Sequence, residues 1–314
     1  MEMKRVKGIL CAVVVVMTLG CLSGCSFVSK TSYLYQNGEK YTAGDREITD
    51  KIETINLDYM EGDVKLVGAD TDTLTVKETS AKTLDDKRKV HTWVDGTTLY
   101  VRYCASAKRL DLNNLNKSLE ITLPKDVKLG EVKLVLSSGD VNCKDFEAGT
   151  MDIEASSGNI AVDCTAKKFD MEASSGSISL VQHGDSDAID IKVSSGNISI
   201  DMENAGRVNT HASSGDTKIS AKSIKEFKAE ASSGKEELRF AEVPGNTDIE
   251  VSSGDVTIYL PKDADLTADF ETSSGKLSYE LSFAKKGDQY VCGEGTNRMK
   301  VETSSGNITV KATE

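Results

Sequence analysis

The chain has 314 residues, of which 38% are hydrophobic and only 5% aromatic, enough for one large domain or two ordinary ones and unlike either a disordered or a collagen-like composition. A formal net charge of −12 excludes an ordinary nucleic-acid binder, because phosphate recognition needs a basic patch that releases counterions. With one Trp, three Pro and recurrent Gly, Ser, Val, Ile and Thr, the composition predicts strands and turns and almost no helix.

The chain opens with the basic stretch MEMKRVKG, followed over residues 9–19 by an apolar run too short to span a bilayer as a lone helix. This reads as a secretory signal. Leu22-Ser23-Gly24-Cys25 then resembles the lipobox of bacterial lipoproteins, in which the Cys is acylated and becomes the first mature residue. The resemblance implies a signal peptide over 1–24, a lipid on Cys25, and an extracytoplasmic protein anchored to the bacterial membrane. Residues 25–50 are expected to form a tether of low order.

Residues 51–130 contain strand-like stretches such as YMEGDVKLV, DTLTVKET and KSLEITLPKDVKL, and Asp95-Gly96 after Trp93 suggests a hairpin. They are expected to form an N-terminal β part of the stack that follows. Over 131–314 the tripeptide Ser-Ser-Gly occurs nine times, starting at 137, 156, 174, 194, 213, 232, 252, 273 and 304. Apolar or small residues lie seven, five and three positions before each Gly and two and four after it, as in Met151, Ile153, Ala155, Ile160 and Val162. Alternation of this kind marks half-buried strands, and a steady period near 19 residues marks stacked units.

The apolar parity switches at the tripeptide, so the strand must bend there. The corner glycines are Gly139, Gly158, Gly176, Gly196, Gly215, Gly234, Gly254, Gly275 and Gly306. The second Ser of each corner is expected to point inward, its hydroxyl satisfying a backbone group and forming a ladder with its neighbours. The predicted fold is all-β, a single-stranded parallel β-solenoid with coils of about 19 residues. Leu123-Pro124-Lys125-Asp126 recurs as Leu260-Pro261-Lys262-Asp263, which suggests a larger duplication, and an inserted hairpin is expected near 281–298 before the last coil.

Of the cysteines beyond Cys25, Cys104, Cys143, Cys164 and Cys292 have irregular spacing and read as buried free thiols, with Cys143 and Cys164 the one pair to check. The three histidines, His91, His183 and His211, read as ordinary surface or turn residues, and no catalytic motif accompanies them. No cofactor or metal is expected. The one candidate site is an outward acidic face: Asp152, Asp170, Asp190, Asp248 and Asp269 six residues before the Gly, with Glu154, Glu172, Glu250 and Glu271 four before it. Stacked carboxylates repel, so the face could serve a cation or a basic partner, but Lys192, Asn209, His211, Lys228 and Lys300 interrupt the same columns, which favours a solvated face that keeps the stack soluble.

The Ser-Ser-Gly units, the Leu-Pro-Lys-Asp element and the terminal VETSSGNITV resemble a bacterial β-strand-repeat family of unknown function labelled as adhesins. That resemblance implies architecture and no site residues. The expected function is a non-enzymatic, lipid-anchored envelope module that binds an unknown envelope protein or polysaccharide. Two rivals are a polysaccharide-acting β-helix enzyme and an accessory component of an envelope-stress or export system.

Overall fold

The computed structural model describes residues 31–112 and 115–313. The signal peptide expected over 1–24 and the lipid site expected at Cys25 lie outside the described residues. Strands dominate, and among the described residues the one helical element is a 3-10 turn at Gly38–Lys40. Among the described residues no helix is long and apolar enough to cross a membrane.

The apolar alternation becomes a stack of two-sided coils. Met151, Ile153, Ala155, Ile160 and Val162 are all at most 3% exposed, while the side chains between them face outward. Neighbouring coils pair in parallel and in register: Met151 lies beside Phe169, Ile153 beside Met171 and Ala155 beside Ala173. Each apolar position therefore becomes a column, and the columns merge into one continuous core. A long strand such as Val141–Ser157 carries the second half of one coil through a further bend into the first half of the next. Register shifts fall at that further bend, between 144 and 147, 164 and 168, and 182 and 185, so it absorbs the unequal coil lengths and keeps the corners aligned.

At the corner the sheet ladder continues. The Gly158 N–H donates to the Ser175 carbonyl at 2.9 Å, and the Ile160 N–H to the Ser177 carbonyl at 2.9 Å. All the predicted corner glycines except Gly275 have positive φ, from 121° to 158°. The serines depart from expectation, because Ser138, Ser157, Ser175 and their counterparts are exposed and do not point inward. The ladder instead occupies the residue after the Gly. Asp140 Oδ1 accepts the Asn159 N–H at 2.7 Å, Asn159 Oδ1 the Ser177 N–H at 2.9 Å, Ser177 Oγ the Asn197 N–H at 3.1 Å, and Asn197 Oδ1 the Asp216 N–H at 2.9 Å. The turn aims this N–H out of the sheet, where only a short side-chain oxygen from the adjacent coil reaches it.

The stack begins earlier than the Ser-Ser-Gly count indicates. Gly62 is itself a corner, with φ 109°, and Asp63 Oδ1 accepts the Asp140 N–H at 3.0 Å. Thr54–Glu61 pairs in parallel with Lys128–Ser138. Purely parallel geometry does not hold at this end: Lys117–Pro124 pairs antiparallel with Leu74–Ser80, and His91–Asp95 forms the expected antiparallel hairpin with Thr98–Arg102. Residues 31–50 are not a loose tether. Thr31–Tyr33 pairs with Ala107–Leu110 and Arg46–Ile48 with Leu74–Ser80, while Tyr33 and Ile48 are each only 2% exposed. The Tyr33 hydroxyl donates to the Asp58 carbonyl at 3.0 Å, which anchors this segment to the first coil.

At the other end, stack order and chain order part company. Asn246–Ser253 pairs with Asn297–Ser305, which in turn pairs with Leu266–Ser274. The last coil in sequence is thus inserted between the two coils that precede it. The connecting hairpin is Ala284–Lys286 with Gln289–Cys292. The repeated Leu-Pro-Lys-Asp elements close equivalent turns, with the Val127 N–H donating to the Pro124 carbonyl and the Ala264 N–H to the Pro261 carbonyl, both at 3.0 Å. Cys104, Cys143, Cys164 and Cys292 are buried free thiols. Burial pushes the Cys104 and Cys164 thiols up to about 12.

Candidate functional site

Because the coils stack in register, outward residues at equal distance from the corner also form columns. Six residues before the Gly the order along the stack is Asp152, Asp170, Asp190, Asn209, Lys228, Asp248, Lys300, Asp269. Four before it the order is Glu154, Glu172, Lys192, His211, Glu230, Glu250, Glu302, Glu271. The predicted carboxylates share one face, yet they are not one uninterrupted ladder. The inserted coil places Lys300 between Asp248 and Asp269, and it brings Glu302 between Glu250 and Glu271.

From Lys228 onward the first column therefore alternates in charge, while the second gathers four glutamates, Glu230, Glu250, Glu302 and Glu271. Cations on the same face hold several of these acids. Lys228 Nζ is 2.6 Å from Glu230, Lys300 Nζ 2.7 Å from Glu302, and Arg207 2.9 Å from Asp190. The Lys228 bond, with help from His211, holds the Glu230 carboxyl below its ordinary value. The middle of the aspartate column behaves oppositely. Partial burial and then the neighbouring Asp152 push Asp170 up, the expected result of stacking like charges. Exposed pairs of this kind add little stability, so what they supply is a fixed pattern of charge.

A groove of about 570 Å³ runs across this face, lined by Arg207, Asn209, Lys228, Asp248, Asp269, Gln289, Arg298 and Lys300 among others. Beside it, a shallower cleft of about 430 Å³ lies over the glutamate column and the corner serines Ser232, Ser252, Ser273 and Ser304. Sequence reasoning places Lys228 and Lys300 in the carboxylate columns but misses the two arginines of the groove. Arg207 and Arg298 lie eight before their corner glycines, a column whose outward direction was legible, but Arg298 joins the groove only through the inserted coil. Among the described residues no group of three or more His, Cys, Asp or Glu is arranged to hold a metal ion. His183 and His211 are exposed and pair with Asp163 at 2.7 Å and Glu230 at 3.3 Å. His91 departs from the surface reading: it is only 8% exposed, with Nδ1 2.9 Å from the Lys89 carbonyl, and burial lowers its pKa.

A second polar cluster lies inside the N-terminal end. Lys117 is 3% exposed, with Nζ 2.6 Å from Glu78, whose Oε1 also accepts the Tyr59 hydroxyl at 2.9 Å. The Lys117 ammonium sits over the Tyr103 ring, 3.9 Å from its centre. Desolvation lowers the lysine pKa. Every contact here is internal, so the cluster fastens the N-terminal strands to the first coil.

The family described as Toastrack DUF4097 matches residues 52–311 of the chain. No protein of curated function matches it. Among solved structures, one from Parabacteroides distasonis, provisionally labelled an adhesin, aligns with a TM-score of 0.53 and 17% identity over 86% of this chain and 96% of that one. Another with the same provisional label, from Parabacteroides merdae, aligns with a TM-score of 0.51 and 14% identity over 87% and 97%. At these identities the likeness concerns the fold.

Proposed function

The chain belongs to the Toastrack DUF4097 family, and we propose that it is a non-enzymatic binding and scaffold module of the bacterial envelope, lipid-anchored through Cys25. The observation that carries the binding reading is the groove of about 570 Å³, whose walls present cations, carboxylates and amides at the rung spacing of the stack. That spacing, roughly 4.8 Å, repeats hydrogen-bonding and charged groups along one direction. Such a surface suits an extended polar polymer, an envelope polysaccharide or an extended protein segment, better than a small compact molecule. The rigid core fixes the groups in advance, so little conformational entropy is lost on binding. The adhesin label carried by structures of similar fold agrees with this reading.

The test is retention of native envelope material by the full chain, compared with an Arg207→Glu/Lys300→Glu variant of unchanged circular dichroism. Loss of one retained polymer in the variant supports the groove as the binding surface, and equal retention by both proteins overturns it. Release of shortened polymer by the wild type would overturn the non-enzymatic assignment. For the anchor, Cys25→Ala should move the protein from the membrane fraction to the soluble envelope fraction, and continued membrane association would refute lipidation there.

A further inference from the structure

The core is sealed at one end of the stack and only half covered at the other, where Gln289–Cys292 pairs antiparallel with Leu266, Thr267 and Ala268 but, among the described residues, the second half of the terminal coil has no such cover. In an interior coil the inward residues Ile153, Ala155, Ile160 and Val162 are at most 3% exposed. In the terminal coil the equivalent Phe270, Thr272 and Leu277 are only half-buried, and Tyr279 is 45% exposed. Tyr279 contacts Phe283 at 5.3 Å between ring centres, and Phe283 contacts Phe270 at 5.9 Å, so the opening is an aromatic patch. The N-terminal end, by contrast, is covered by antiparallel strands.

The patch borders an unpaired sheet edge. Leu277–Tyr279 pairs in parallel with Ile308–Ala312 on one side and, among the described residues, with no strand on the other. The Ile308 N–H donates to the Lys276 carbonyl at 3.0 Å, and the Glu280 N–H to the Val310 carbonyl at 2.9 Å. Residues 276, 278 and 280 therefore spend their backbone groups on the existing neighbour. By the alternation of a ladder, the N–H and C=O groups of Leu277 and Tyr279 face the open edge. An exposed edge beside apolar side chains is a template for another strand.

We propose that this edge is a homodimer interface, in which Leu277–Tyr279 of two copies pair antiparallel about a two-fold axis at Ser278. In that register Leu277 lies opposite Tyr279 of the second copy, which lets the outward-facing backbone groups exchange hydrogen bonds and continues the core across the axis. On the solvent face Lys276 lies opposite Glu280 and, by symmetry, Glu280 opposite Lys276. The five-residue segment Lys276-Leu277-Ser278-Tyr279-Glu280 is thus complementary to itself in charge and in apolar pattern. A parallel pairing or a shift of one residue would lose both matches. The proposal does not depend on what the groove binds.

Sedimentation velocity of the full chain in mild detergent over a range of concentrations tests it, with Lys276→Glu, Glu280→Lys and the double exchange compared. Each single reversal sets like charges opposite one another twice, and should weaken the dimer about tenfold, whereas the double exchange should restore it. Ser278→Cys, next to its own symmetry mate, should form a disulfide-linked dimer on oxidation, while Thr309→Cys on the adjacent strand should not. A monomer at every concentration, a dimer indifferent to the single reversals, or cross-linking at 309 in place of 278 would each overturn the proposal.

Discussion

Two positions, one in the core and one at a corner, show how sharply single residues are constrained. Glu236 occupies the inward column two residues after the corner, where its neighbours along the stack are Thr217 and Val256. It is 2% exposed and its Oε2 has no hydrogen-bond partner. Burial pushes its pKa from 4.5 up to about 8, partly offset by the Thr217 hydroxyl and reinforced by Asp216. A carboxyl raised in the folded state keeps its proton there while the unfolded chain has already lost it. Its favourable contribution is therefore complete below about pH 4.5, declines as pH rises toward about 8, and is constant beyond. The loss should be on the order of 3–5 kcal/mol. Urea midpoints between pH 5 and 9 should fall more steeply for the wild type than for Glu236→Gln, and superimposable profiles would refute the assignment. Gly176 is constrained by space. Its φ is 138°, and an added Cβ would lie 2.0 Å from the Gly158 carbonyl oxygen, whereas at Gly184, φ 74°, nothing lies within 4 Å. Gly176→Ala should cost about 3 kcal/mol or more and Gly184→Ala about 1–2 kcal/mol, measured as shifts in urea midpoint.

Between residue and molecule, the unit is the coil, and its two kinds of column differ in how far sequence exposes them. The apolar columns follow from period-two alternation and a fixed distance to the corner, so Met151, Phe169 and Ile189 could be placed side by side before any coordinates. The corner ladder could not. Parity says that the serines sit at a bend, but it does not say which N–H the bend turns out of the sheet, and that N–H belongs to the following residue. The short polar residues at 140, 159, 177, 197, 216, 255 and 307 were the available signal. Lys235 breaks their run: its N–H donates to Asp216 Oδ1 at 2.9 Å, but its side chain offers no oxygen to the next coil. Lys235→Asn should therefore complete the ladder and add about 1 kcal/mol. An unchanged or lower thermal midpoint would show that the rung is not limiting.

At the scale of the whole molecule, order along the chain is not order along the stack. Identical corners make the coils interchangeable in pattern, so nothing local tells the coil ending at Gly306 to enter beneath the coil ending at Gly275. The 31-residue interval before the last Ser-Ser-Gly signalled an insertion, and the hairpin it encodes exists, but the return of the chain is a long-range choice that alternation does not record. The candidate face inherits the same ambiguity. Chain order sets Asp248 and Asp269 side by side, whereas the fold separates them with Lys300 and assembles the groove from five coils and the inserted hairpin. Cross-linking distinguishes the two arrangements directly. Asp248 and Lys300 are Cα partners on adjacent parallel strands, and so are Lys300 and Asp269. Asp248 and Asp269 are therefore two rungs apart, about 9.6 Å at the usual strand spacing, beyond the roughly 7 Å a disulfide can bridge. Under mild oxidation Asp248→Cys/Lys300→Cys should close an intramolecular disulfide, detected by the mass of the linked peptides, and Asp248→Cys/Asp269→Cys should remain reduced. The opposite result would place the coils in chain order and dissolve the groove, since Arg298 and Lys300 would then lie at the end of the stack and not between its acids.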